Sequence, residues 1–342
     1  MEKIIIHHRS SHHAHNSGYG RLIDYMEAET IPSGKSGLPY KIAKYISQKA
    51  DQESGLYDST GVIKDWELFR SLLFSRNQDR TIHYLNGERD IRYAIKMASL
   101  FSKTRVCATF HKPPEILSST ILNTQYLKKM DGAIAVGINQ VDFLKNWLNT
   151  DNVQYIPHGV DVNFFKPDYS KTQENNIIFA GQHLRDFEAL NYVIPRIKEQ
   201  IPTIKIKVVL RKDFAKNIIS DASVEMFSGI DDNELRNLYQ EASLLFLPLK
   251  NVTACNTILE AMACGLPIVS TDIEGNRGYV KNEAGILVSP TDYKTYVDVV
   301  VDVLKNKEKR DYLALKSREN ALKLDWEVIA GQVNGFYDSM VR

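Results

Sequence analysis

The sequence predicts an α/β protein built from two doubly wound domains. Three observations carry this. Short apolar, β-branched runs alternate with helical stretches, the pattern of parallel strands joined by crossover helices. The second half of the chain repeats the theme of the first, with the junction expected near Pro157 to Pro167. With 342 residues, 43% of them hydrophobic, the chain is long and apolar enough to bury two ordinary cores.

In the first half, the expected strands are Lys3–Ile6, Ile82–Leu85, Val106–Phe110, Ala133–Val136 and Val153–Ile156. The first strand leads into a loop with five histidines, His7, His8, His12, His13 and His15, followed by Asn16-Ser17-Gly18-Tyr19-Gly20. No carboxylate or cysteine completes a metal-ligand spacing there, so the histidines read as lining a loop at the carboxyl end of the strand, where an open sheet faces its ligand. Gly18 and Gly20, flanking Tyr19, let the backbone approach a phosphate or sugar closely. His111 follows the strand Val106–Phe110 and precedes Lys112-Pro113-Pro114, which halt regular structure and hold it at the crevice. It reads either as a catalytic side chain or as a histidine capping a strand end. His83 is a second candidate of the same kind. Lys35, Lys41, Lys44 and Lys49 surround Leu38, Ile42, Tyr45 and Ile46. This basic amphipathic stretch fits a helix resting on anionic lipid, and equally a core-facing helix with a solvated lysine face.

The second half gives strands at Asn176–Ala180, Ile204–Leu210, Val224–Phe227, Leu244–Leu247, Pro267–Ser270 and Gly285–Val288. The segment Val252 to Gly275 is the most informative in the chain. Ala254, Ile258 and Ala261 fall at helical spacing, and Gly265 and Pro267 end the helix before an apolar strand. With Thr253 as N-cap, the amides of Cys255, Asn256 and Thr257 would point unpaired from a helix start, where the macrodipole also favours an anion. Glu260 sits one turn further in, placed to accept hydrogen bonds from ribose hydroxyls. A helix buried against a sheet with Glu260 at its rim explains the same spacing.

A net charge of +1 removes any global electrostatic case for binding nucleic acid. Cys107, Cys255 and Cys264 are isolated, which argues against a disulfide framework or zinc site and for a reducing compartment. No apolar run approaches the ~18 residues of a membrane span, and Met1 to Ile6 is too short for a signal peptide. A cytoplasmic protein is expected, with attachment to the inner face of the membrane left open.

The run L-E-A-M-A-C-G-L-P-I-V-S-T-D, from Leu259 to Asp272, resembles the signature of retaining glycosyltransferases of the GT-B fold, specifically family 4 or glycosyl transferases group 1. Ile156-Pro157-His158-Gly159-Val160-Asp161 with Phe164 and Pro167, Phe179-Ala180-Gly181 and Asp325-Trp326 are similar to further segments of that family. The resemblance implies two Rossmann-like domains facing a central cleft. Residues 1–156, with a returning C-terminal helix at about 326–342, would form the acceptor side, and 157–325 would bind the nucleotide sugar. It implies transfer from a nucleotide diphosphate sugar, UDP- or GDP-linked, to a glycan or lipid-linked acceptor with retention, in polysaccharide or glycoconjugate synthesis, without a metal or other cofactor. His111 matches the histidine beside the donor sugar, and the glycine loop with Gly18, Tyr19 and Gly20 matches one that touches the transfer zone. Two departures stand out. The family's Gly-Arg turn is replaced by Gly181-Gln182, leaving Arg185 to face the diphosphate, with Arg211 and Lys212 as alternatives. Of the family's paired glutamates only Glu260 is present, because Val252 occupies the first position, so that role is absent or moves to Asn251 or Thr253. A non-catalytic sugar-nucleotide or glycan-binding subunit and a sugar-nucleotide epimerase are the competing readings.

Overall fold

The computed structural model describes every residue except 9–15, 32–36, 51–52, 75–77, 282 and 341–342. Six strands form the first sheet: β1 (Glu2–Ile6), β2 (Glu29–Ile31), β3 (Arg80–Tyr84), β4 (Thr104–Phe110), β5 (Gly132–Ala135) and β6 (Val153–Tyr155). They are all parallel, in the order β2-β1-β3-β4-β5-β6. Every residue of β3 and β5 is buried, as expected of central strands covered by helices on both faces. β2 was not foreseen. It is a three-residue edge strand in which only Ile31 is buried, too short to show a period. The chain's last helix, Trp326–Ser339, packs on this sheet from Ile329 onward: Asn334 accepts from Lys3 Nζ at 2.8 Å, and the Tyr337 hydroxyl lies 2.6 Å from His83 Nδ1.

The second sheet holds β7 (Asn176–Ala180), β8 (Lys205–Val209), β9 (Val224–Phe227), β10 (Leu244–Leu247), β11 (Ile268–Thr271) and β12 (Gly285–Val288). It is again parallel throughout, in the order β12-β11-β10-β7-β8-β9. Counted within this sheet alone, that is the 3-2-1-4-5-6 order of dinucleotide-binding folds. Three of its four interior strands, β7, β10 and β11, are wholly buried, whereas the edge strand β9 buries none of its residues fully.

Met1–Ser11, Tyr19–Pro157 and Ile329–Arg342 form one compact unit, and His12–Gly18 with His158–Val328 the other. Two of the segments singled out in the sequence meet inside the second unit. Val160 bridges to Asp325 in parallel register and donates its N–H to Leu324 O at 2.9 Å, while the His158 and Trp326 rings lie 5.3 Å apart. Asp161 accepts from the N–H groups of Asn163 and Phe164, which turns the chain into the unit. Ligands of open parallel sheets bind at the carboxyl ends of the strands where the order reverses. In the second unit that point lies between β7 and β10, and in the first between β1 and β3. Among the described residues, no helix is long and apolar enough to cross a membrane.

Candidate functional site

At the switch point of the second sheet, the turns after β7 and β10 are tied together. Arg185 bridges to Leu249, Asp186 N donates to Pro248 O at 3.0 Å, and Lys250 N donates to Leu184 O at 2.9 Å. Gly181 makes this possible. Its φ of +85° lies in the left-handed region, and a Cβ there would sit 2.6 Å from Arg185 Nη2. The guanidinium folds back over the turn, donating to Ala180 O at 3.0 Å and His183 O at 3.0 Å, and reaches Thr257 Oγ1 at 3.1 Å. A fixed cation therefore stands at the first turn of the helix that follows β10. Arg211 instead pairs with Asp213 at 2.8 Å on the exposed surface, and Lys212 opens the short 3-10 helix Lys212–Asn217; neither hydrogen-bonds to that turn.

That helix spans Asn256–Ala263, and its start corrects the expected cap. Thr253 is not the N-cap. Cys255 holds that position with extended backbone and makes no side-chain capping bond. The difference follows from the approach loop: Asn251 Oδ1 accepts from Val252 N at 2.7 Å, and the chain stays irregular to Cys255. The amides of Asn256 and Thr257 have no acceptor among the described residues, the condition under which a helix start binds an anion. Thr253 Oγ1 is buried and likewise has no hydrogen-bond partner. Val252 is packed tightly, since a Cβ on Gly275 would come within 2.1 Å of its carbonyl oxygen.

Glu260 is 5% exposed, one turn inside the helix. Ser17 Oγ donates to its Oε1 at 2.5 Å, and the buried Tyr239 hydroxyl donates to Oε2 at 3.0 Å. Burial raises its pKa above the ordinary carboxylate value, with Asp232 adding to the rise and the two hydroxyls and Arg185 opposing it. Each carboxylate oxygen has two acceptor positions, so one on each remains for a ligand hydroxyl. A small cavity beside the carboxylate is lined by Asn16, Ser17, Gly18, Gly159, Asn256 and Trp326, among others. Gly18 has a φ of +91°. Asn16 is anchored by Asp232, which accepts from its backbone N–H at 2.7 Å.

In the first unit, His111 directly follows β4. The Glu88 carboxylate accepts from the N–H groups of His111 and Lys112, and Gln140 Nε2 donates to Phe110 O and Lys112 O at 3.0 and 2.9 Å. The turn carrying His111 is thus clamped from both sides. His111 Nε2 lies 2.6 Å from Leu85 O. A carbonyl only accepts, so that nitrogen carries the proton. Tyr19 packs edge-on against the imidazole with ring centroids 4.6 Å apart, and Gly20 continues into the 3-10 helix Tyr19–Tyr25.

His83 is corrected. It lies within β3, fully buried between Tyr337 and Thr109 Oγ1. Burial, reinforced by His111, holds its pKa down to about 3. The unfolded chain takes up a proton below pH ~6.5 that the folded chain excludes, so this contribution is full above that pH and is lost as pH falls toward 3. His83→Gln is expected to reduce the loss of unfolding free energy between pH 7.5 and pH 5 by about 2 kcal/mol. Urea denaturation at the two pH values measures it; equal losses in the two proteins would contradict it.

His8 donates its backbone N–H to Asn86 Oδ1 at 2.9 Å, and its Nε2 lies 2.9 Å from the Tyr84 hydroxyl. Burial, then Arg89, Lys64 and His7, hold its pKa down to about 2. His12, His13 and His15 lie outside the described residues, among which no three histidine, cysteine or carboxylate groups come together as a metal site requires. Sequence reasoning missed Ser17, Tyr239 and Glu88 as site residues. Only Ser17 carried a signal, as a member of the glycine loop.

These two parallel, doubly wound units are those of the GT-B fold. Residues 167–320, most of the second unit, match the family glycosyl transferases group 1. Over 235 residues the chain is 25% identical to phosphatidyl-myo-inositol mannosyltransferase of Mycobacterium leprae, covering 62% of this chain and 60% of that protein. The chain thus spans under two thirds of that relative's length. The fold is similar to sucrose-phosphate synthase of Thermosynechococcus elongatus (TM-score 0.68, 15% identity, 99% of both chains). It is also similar to Anabaena Alr3699/HepE, solved in complex with UDP-glucose (TM-score 0.65, 14% identity, 99% of this chain and 100% of that one).

Proposed function

We propose that the chain is a retaining glycosyltransferase that moves a sugar from a UDP- or GDP-linked donor to a glycan or lipid-linked acceptor, in the synthesis of cell-surface polysaccharide or glycoconjugate. One observation carries this reading. The open helix start at Asn256–Thr257, the Arg185 guanidinium on Thr257 and the buried Glu260 carboxylate one turn in stand at one switch point. Amides and guanidinium hold the diphosphate and stabilise the charge that develops on it as it leaves, and Glu260 accepts the ribose hydroxyls. The unpartnered Thr253 hydroxyl takes a donor-sugar hydroxyl in place of the glutamate that Val252 lacks. His111, presented by the first unit with Tyr19 against its ring, serves the transfer step. The relative named as a mannosyltransferase acting on phosphatidyl-myo-inositol and the HepE structure holding UDP-glucose support a nucleotide-sugar donor. Three free buried thiols fit a cytoplasmic location.

Val252 favours a second reading, a sugar-nucleotide-binding subunit without turnover. Incubation with a panel of nucleotide sugars and mixed glycan and lipid acceptors, followed by product analysis, separates the two: a transferred sugar with retained configuration is expected, and donor binding without any product would overturn transfer. Since Arg185 and the helix amides supply the positive charge, activity is expected to persist in excess chelator. Complete loss restored by Mg²⁺ or Mn²⁺ would contradict that assignment.

A further inference from the structure

The helix Tyr40–Ser47 in the first unit is turned the opposite way from an ordinary surface helix. Its buried side chains are its small ones, Ala43 and Ser47, and Ala43 packs in a minor cluster with Tyr57 and Val62. The bulky apolar side chains face out: Ile42 is 48% exposed, Tyr45 59% and Ile46 43%. At 100° per residue, Lys41, Ile42 and Tyr45 fall opposite Ala43 and Ser47. Lys49, just past the helix end, places its ammonium 4.4 Å from the centroid of the Tyr45 ring. Of the two arrangements the sequence allowed, the structure has the one in which the apolar residues are not spent on the core. Lys35 lies outside the described residues.

We propose that this face docks the protein on an anionic lipid bilayer, with Ile42, Tyr45 and Ile46 entering the interface and Lys41, Lys44 and Lys49 meeting lipid phosphates. Charge selects the occupant. Exposed apolar side chains ringed by lysines, with no carboxylate in the helix, match a surface that is apolar beneath and negative above. Tyrosine suits that boundary because its ring is apolar and its hydroxyl polar. The inference goes beyond the transfer reading and is independent of it, because docking requires no donor and is read without turnover.

The test is co-sedimentation of the full chain with vesicles of phosphatidylcholine alone and of phosphatidylcholine with phosphatidylglycerol, at low and high salt. Wild type is expected to pellet with the anionic vesicles at low salt and to release at high salt. The pair Ile42→Ser with Tyr45→Ser is expected to weaken binding about tenfold or more, and each lysine changed to glutamine roughly fivefold. These side chains are exposed, so unchanged thermal melting and nucleotide affinity are expected and separate lost docking from lost folding. Wild type remaining in the supernatant, or variants pelleting as wild type does, would overturn the proposal. So would concentration-dependent self-association abolished by the serine pair, which would give the face to a second copy of the chain.

Discussion

His111→Ala is expected to lower turnover by about 10²-fold or more while leaving nucleoside diphosphate affinity nearly unchanged. The split follows from placement. The phosphate-binding groups proposed above belong to the second unit, whereas His111 belongs to the first. The structure also holds the imidazole ready. Glu88 and Gln140 fix the turn on either side, the Leu85 carbonyl sets the tautomer, and Tyr19 packs against the ring. A side chain immobilised in this way contributes to catalysis through interactions that strengthen as the transition state forms, which appear in kcat rather than in binding of the nucleotide. Steady-state kinetics beside calorimetry on the same preparations makes the comparison. Unchanged turnover would remove His111 from the site, and a parallel loss of nucleotide affinity would move it to donor binding.

The strands were legible because a central parallel strand must be apolar on both faces: Ile177, Ile178 and Phe179 or Leu244 to Leu247 admit no other role. β2 was not, since a short edge strand carries little burial and hence little pattern. Gly265 and Pro267 marked the end of the helix correctly, but its start was placed by residue type, and Thr253 won over Cys255 because hydroxyls cap well. Local chemistry decided otherwise, with Asn251 engaging the approach loop before any helical turn could close. His83 was misplaced because the Tyr337 and Thr109 groups that enclose it are remote in sequence, and nothing local shows that its side chain enters the interior. Arg185 was picked out as the substitute for the family's missing arginine, while its bonds to Ala180, His183 and Thr257 could not be read from spacing. Ser17 and Tyr239, which hold the two oxygens of Glu260, were not, because no spacing rule connects residue 17 or residue 239 with residue 260. The lysine-rich helix shows the same limit, as its period is identical whether Ile42 and Tyr45 face a core or solvent.

Glu260→Gln is expected to weaken nucleoside diphosphate binding about tenfold or more. Hydrogen bonds to a charged acceptor contribute roughly 1.5 to 3 kcal/mol, and an amide keeps the shape while losing the charge and one of the two acceptor oxygens. Ser17 and Tyr239 already donate to this carboxylate, so the ionised form is the one the site is arranged to use. Burial raises its pKa, so protonation begins at a higher pH than for an ordinary glutamate. Affinity in wild type should therefore fall as pH drops through that raised value, and the glutamine variant should lack this dependence. Titration calorimetry with free UDP and GDP, on wild type to choose the base and then on Glu260→Gln, tests the central assignment most directly. A tenfold or greater loss in a folded variant is the predicted result; a folded Glu260→Gln protein with wild-type affinity would contradict it.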